Sequence, residues 1–167
     1  FLSEEKFVTS LECFKEEDGI ISFFFNVVEK RKKKSSNQII EGKLNIISKK
    51  IDINLLLNID TETHNGAGKI LILDSENLFL SFSAPDIDKY VAQDLEDIRG
   101  KIVLINIKSK NYKVYSSGHR NPQGIILDNY NNFFATEHGP YGGDELNLIL
   151  HNKNYGWPLT SDGLESR

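Results

Sequence analysis

The chain contains no methionine and one cysteine, Cys13. A single thiol excludes an intrachain disulfide and a cysteine-rich metal centre. Long apolar runs are missing as well. Nothing approaches the roughly 18 residues that a membrane-spanning helix needs, and the opening residues do not read as a secretory signal. With no methionine and a start at Phe1 inside a strand-like pattern, we expect a fragment truncated at both ends, its targeting segment, if any, outside it. A strong excess of one charge is also lacking: the formal net charge is -4. That points to no nucleic-acid partner, and the one basic block, "KRKKK" from Lys30 to Lys34, adjoins "SSNQ" as a solvated loop does.

Helical periodicity is scarce. What recurs instead, at roughly ten-residue spacing, is a run of four to eight apolar and β-branched residues closed by polar turn residues, the pattern of an all-β domain. The runs include "IISFFFNVV" (20–28), "QIIEGKLNIIS" (38–48), "KKIDINLLLNI" (49–59), "KILILD" (69–74), "NLFLSFS" (77–83), "GKIVLINI" (100–107), "YKVYSS" (112–117), "GIILD" (124–128), "NFFATE" (132–137) and "ELNLIL" (145–150). The stretches between them, such as "DSEN", "KSKN" and "DNYNN", suit hairpins, because Asn and Asp tolerate left-handed backbone and bond their own main chain. The exception is "DIDKYVAQDLEDIRG" (86–100), an acidic excursion with room for one helical turn. A soft repeat links "KILILDSENLFLSFS" to "GIILDNYNNFFATEH", each an apolar strand ending in Asp, a short turn and an aromatic strand. Four short strands repeated at about 40 to 45 residues are what propeller blades require.

One stretch carries more polarity than a turn needs. "SSGHRNPQGIILD" (116–128) sets His119, Arg120, Asn121 and Gln123 between two glycines directly before a strand. Turn chemistry explains Gly, Asn and Pro there, but not His and Arg beside them.

"GHRNPQG", "ATEHGPYGGDELN" and "KNYGWP", in that order, resemble the signature of the soluble quinoprotein glucose dehydrogenase and aldose sugar dehydrogenase family, also called glucose/sorbosone dehydrogenases. "THNGAGKILILDSENLFLSFS" and "AQDLEDIRGKIVLINI" are similar to its upstream segments. The resemblance covers Asn58 to Gly163 well and the N-terminal part only in layout. It implies a six-bladed β-propeller, of which residues 1–167 would be one incomplete domain of two to three blades of four-stranded antiparallel sheets. It further implies oxidation of an aldose sugar at C1 by hydride transfer to pyrroloquinoline quinone with calcium, an external electron acceptor, and a periplasmic or secreted location. Such chemistry needs a base for the hydroxyl proton and a cofactor to accept the hydride, since no side chain can take one.

By the same resemblance His64 is the general base and Arg120 holds a quinone oxygen as charge develops. Asn121 is a second cofactor contact. The carbonyls of Gly139 and Pro140 bind the calcium beside the quinone, while Glu145 and the Tyr155 carbonyl bind a separate structural calcium, with Asp162 or Glu165 as further ligands. Each has a plainer rival. "THNGAG" makes a serviceable turn, Arg120 and Asn121 could tie a loop to a neighbouring blade, and Asp144 and Glu145 could be merely solvated. His119 and His138 read as structural, and Tyr155 and Trp157 as packing aromatics. The chain departs from the family at Lys69, usually arginine, and at "SFSAPD" (81–86), where relatives often have Gly-Asp. A related type of propeller, the hedgehog-interacting one, keeps the architecture as a non-enzymatic binding module, the alternative function.

Overall fold

The computed structural model describes residues 5–30, 34–61 and 67–160. Eleven strands among them form three antiparallel sheets. The first holds β1 (Glu5–Glu17), β2 (Ile20–Lys30), β3 (Ser35–Asn45) and β4 (Lys50–Thr61) in chain order. The second holds β5 (Ala67–Ile72), β6 (Asn77–Phe82), β7 (Lys101–Asn106) and β8 (Asn111–Ser117), again in order. The third pairs β9 (Pro122–Leu127) with β10 (Phe133–Glu137) and β10 with β11 (Glu145–Leu148). Each sheet is an up-and-down meander, the build of a propeller blade.

Strand periodicity explains how the sheets stack. Side chains alternate faces along a strand, so in β6 Leu78, Leu80 and Phe82 join a core with Phe24, Ile39, Leu56 and Ile59 of the first sheet. Phe79, from the opposite face, packs with Phe133 and Ala135 of the third sheet and with Ile149. In β7, Val103 and Ile105 go one way and Ile102 the other. The middle sheet is therefore covered on both faces, which is why "NLFLSF" and "KIVLIN" read as nearly unbroken apolar runs. The outer strands differ. Ile51, Ile53 and Leu55 on β4, together with Phe7, Val8 and Leu11 on β1, stay exposed, as do Ile126, Leu146 and Leu148 on the third sheet. Contiguous exposed apolar residues of this kind mark faces on which a further element can pack.

The repeat in the sequence is a repeat in space. Asp74 closes the β5–β6 turn by accepting the N–H groups of Glu76 (2.7 Å) and Asn77 (2.8 Å) through Oδ1. Asp128 closes the β9–β10 turn in the same way with Tyr130 and Asn132, both at 2.8 Å. These bonds hold both carboxyls below the usual aspartate range, the Glu76 N–H foremost at Asp74 and the Asn132 side chain foremost at Asp128.

β1 is the element that the sequence reading did not assign. It pairs with β2 along its whole length, but most of its side chains are exposed, so no inward stripe marks it. The overlooked signal is Asp18-Gly19, with φ of 52° and 72°: both central residues left-handed is the primed turn that suits a two-residue hairpin. The acidic excursion does contain helix, a 3₁₀ segment at Asp86–Gln93. The buried Lys101 anchors it, its Nζ donating to the carbonyls of Val91 (2.9 Å) and Arg99 (2.8 Å). Burial pushes that ammonium down to about 8. No helix among the described residues is long and apolar enough to cross a membrane.

Candidate active site

The segment from Ser117 to Pro122 leaves β8, crosses from the second sheet to the third and enters β9. It is clamped by backbone on both sides. Gly118 N–H donates to the Ala92 carbonyl and His119 N–H to that of Gly100, while Tyr155 and Trp157 donate their N–H groups to the carbonyls of Ser117 and Gly118. Gly118 has φ of 72°, and a Cβ there would lie 2.1 Å from Asn154 Oδ1 and 2.7 Å from Gly156 N. Only glycine meets both demands.

His119 and Arg120 then go to opposite fates. The His119 ring is fully buried, stacked on Tyr155 at 4.8 Å between centroids. Its Nδ1 lies 2.6 Å from Glu137 Oε1 and its Nε2 2.8 Å from Ser116 Oγ. A carboxylate only accepts, so Nδ1 carries the proton and, in the neutral ring, Nε2 accepts from the serine. Arg120 turns outward over Trp157, with Cζ 5.3 Å from the ring centroid. One guanidinium nitrogen donates to the His138 carbonyl (3.0 Å) and another to the exposed Asp86 carboxylate (3.2 Å). Its Nε is buried without a partner among the described residues. The backbone of the pair is fixed as well: Ala84 N–H donates to the Arg120 carbonyl at 2.8 Å and His138 N–H to the Asn121 carbonyl at 3.2 Å. Asn121 Oδ1 receives Ser83 Oγ at 2.7 Å and Gln123 Nε2 at 2.6 Å. The capacity left on that side chain is the donor Nδ2, which suits a ligand oxygen.

After β10 the chain makes the tight loop from His138 to Asp144. A Cβ on Gly139 would meet the carbonyl oxygens of Gly142 and Gly143 at 2.1 and 2.5 Å. Asp144 ties the loop, accepting from Gly139 N–H (3.0 Å) and lying 3.3 Å from the exposed His138 ring. The Gly139 bond, and then His138, hold its carboxyl below the usual range. The carbonyls of Gly139 and Pro140 accept no backbone hydrogen bond among the described residues. Glu145 begins β11 and holds Asn147 at 3.0 Å.

These pieces converge. Arg120, Gly139, Pro140, Glu145 and Tyr155 all line one hollow, with Gly118, Glu137, His138, Trp157 and Thr160 completing its wall. The two pairs expected at separate calcium sites thus share a wall. Asn121 is not part of that wall but sits beside Arg120. His64, Asp162 and Glu165 lie outside the described residues. The strand that follows His64 is placed, however: a Cβ on Gly68 would fall 2.8 Å from the Pro122 carbonyl, so β5 starts against the Arg120 loop. Sequence reasoning missed Glu137. The available signal was a carboxylate at an inward position of β10, in phase with the buried Phe133 and Ala135.

The donors suit an anionic, oxygen-rich ligand and a hard cation. Arg120 offers a cationic fork with an unpartnered N–H, and the loop offers main-chain and carboxylate oxygens of the kind calcium takes. No group of three or more His, Cys, Asp or Glu side chains among the described residues could hold a metal alone. Carbonyls would therefore have to supply part of any shell.

Propeller blades that present a guanidinium and a carbonyl-rich loop at one mouth define a class, and the comparisons with known proteins agree on which. The glucose/sorbosone dehydrogenase profile matches residues 10–167, and the chain belongs to that family. It is 33% identical over 116 residues to aldose sugar dehydrogenase YliI of Escherichia coli (strain K12), covering 61% of this chain and 31% of that protein. It is 34% identical over 77 residues to quinoprotein glucose dehydrogenase B of Acinetobacter calcoaceticus, covering 40% and 16%. A crystal structure of a glucose dehydrogenase superposes with a TM-score of 0.71 at 26% identity, over 84% of this chain and 46% of that one. The fold is shared with the pyrroloquinoline quinone-bound aldose sugar dehydrogenase of Streptomyces coelicolor, with a TM-score of 0.71, 22% identity and 96% and 51% coverage. The chain thus matches about a third or less of the curated relatives and about half of the solved ones.

Proposed function

We propose that the chain forms part of a pyrroloquinoline quinone- and calcium-dependent dehydrogenase that oxidises an aldose sugar at C1, outside the cytoplasm, and passes electrons to an external acceptor. The observation that carries this reading is the shared hollow, lined both by Arg120, seated on Trp157, and by Gly139 and Pro140 of a tight glycine-containing loop. Membership of a family whose relatives are named for this activity supports it.

When bound, the quinone supplies the two-electron acceptor that side chains cannot provide. Arg120 would hold one of its oxygens, and a fixed cation there costs no reorganisation as negative charge develops. Asn121, with Nδ2 left to give, would orient a second oxygen. Gly139 and Pro140 would hold calcium against the cofactor through main-chain oxygen, and Glu145 with Tyr155 would hold a second ion that keeps β11 and the 153–157 segment together. His64 would take the proton from the sugar hydroxyl, a role that suits an imidazole titrating near working pH.

Quinone titration of the full-length protein with calcium present tests the reading. Saturable binding that chelator weakens supports it. A protein that binds no quinone would instead favour the binding-module function.

A further inference from the structure

Ser116 Oγ, the His119 ring and the Glu137 carboxylate form a hydroxyl–imidazole–carboxylate chain, with contacts of 2.8 and 2.6 Å. Its connectivity is that of a hydrolytic triad, but Ser116 is 1% exposed and His119 0%, so no substrate reaches either. The chain must act on something else. Glu137 is 5% exposed, and burying a carboxylate is costly unless donors meet it. Three do: His119 Nδ1 and Asn147 Nδ2 (3.1 Å) on Oε1, and the backbone N–H of Arg120 (3.0 Å) on Oε2.

We propose that Glu137 is a positioning residue that sets the Arg120 guanidinium on Trp157 at the mouth of the hollow. One oxygen locks the His119 ring while the other fixes the first backbone atom of Arg120. The Ala84 and His138 N–H groups fix the next two carbonyls, leaving the arginine side chain little choice of starting point. A glutamine cannot replace this. Its single oxygen cannot accept from both His119 and Arg120, and its amide nitrogen would either oppose the Arg120 N–H or force the imidazole into the other tautomer. The catalytic consequence rests on the quinone reading, whereas the placement of Arg120 does not.

The test is Glu137→Gln in the full-length protein, read first without cofactor. Emission from Trp157, isolated by subtracting the Trp157→Phe spectrum, reports whether Arg120 remains stacked, with Arg120→Met as the unstacked limit. We expect the Glu137→Gln component to move most of the way to that limit. The quinone dissociation constant should rise about tenfold, and kcat for sugar should fall about 10- to 100-fold with KM within about twofold, since displacement of a reacting group by about 1 Å costs on that order. A merely structural role would lower the yield of folded protein without changing emission or the split between kcat and KM. Emission at the wild-type value, or kcat within about twofold of wild type, overturns the proposal. If Glu137→Gln does not fold, Asn147→Ala, which removes one donor from Oε1, should move emission in the same direction by a smaller amount, and no movement overturns the proposal equally. If the wild type binds no quinone, the proposed function fails and emission alone decides the placement.

Discussion

The Arg120 guanidinium rests on the indole of Trp157, 5.3 Å from carbon to ring centroid, and these two residues come from different loops that meet at one hollow. Trp157 is the only tryptophan of the chain, and with Ala84 and Ala92 it forms a small buried cluster beneath the arginine. The stack turns a flexible side chain into a fixed cation. Arg120→Ala should therefore weaken quinone binding and slow turnover while lowering the melting temperature only slightly, because its ion pair with the exposed Asp86 contributes little. Quinone titration beside thermal unfolding checks this. A large loss of stability with unchanged affinity would assign Arg120 to loop tying instead.

Lys101 gives the protein a particular dependence on pH. Its folded-state value is about 8 against an ordinary 10.5, burial being the main cause. Between those two values the unfolded chain binds more protons, so this group makes stability rise with pH across the window. Below about 8 the contribution is flat. Denaturant unfolding of the wild type and Lys101→Met should diverge by an amount on the order of 3 kcal/mol from pH 8 to 10.5. A constant difference over that range would contradict the burial of a charged ammonium.

Gly118 has no room for a side chain. Gly118→Ala combines a left-handed backbone with contacts to Asn154 and Gly156 far inside van der Waals distance. It should cost about 2–3 kcal/mol and loosen the clamp behind Arg120, so urea midpoint and quinone affinity should fall together. Gly142→Ala makes a useful contrast. Its φ is 102°, but a Cβ there meets nothing within 4 Å, so only the backbone penalty remains.

Calcium should raise the melting temperature of the full-length protein, since a ligand confined to the folded state adds stability by mass action. Glu145→Gln should reduce that gain more than it reduces turnover per bound quinone. Equal melting in chelator and in millimolar calcium would remove both proposed sites, and lost turnover without lost stability would exchange their roles.

How much of this was legible in the sequence depended on pattern strength. Ten of the strands announced themselves as short apolar runs closed by turn residues, clearest where both faces are covered, as in "NLFLSF", buried from Leu78 to Phe82. β1 did not, because polar residues break up its apolar ones, Phe7, Val8, Leu11, Cys13 and Phe14, and its marker is the turn Asp18-Gly19 rather than the strand itself. The polar surplus of "GHRNPQG" lies in a loop clamped by backbone on both sides, and its polarity divides. His119 faces inward to Glu137 and Arg120 outward to the hollow, and sequence gives no way to tell adjacent residues apart once a left-handed glycine breaks the alternation. Glu137 was hidden for the converse reason. A carboxylate at the end of a strand reads as solvated until its donors, His119 and the Arg120 N–H, are brought from 18 and 17 residues away.

The most direct test of sugar oxidation at this site is dye reduction by the full-length protein supplied with pyrroloquinoline quinone and calcium, wild type against His64→Ala. The wild type should reduce dye with an aldose, and the variant should lose about 10² to 10⁴ in rate, the usual cost of removing a positioned base, while still binding quinone through Arg120. A wild type that reduces no dye with any aldose would contradict the proposed function, and full activity in His64→Ala would contradict the choice of base.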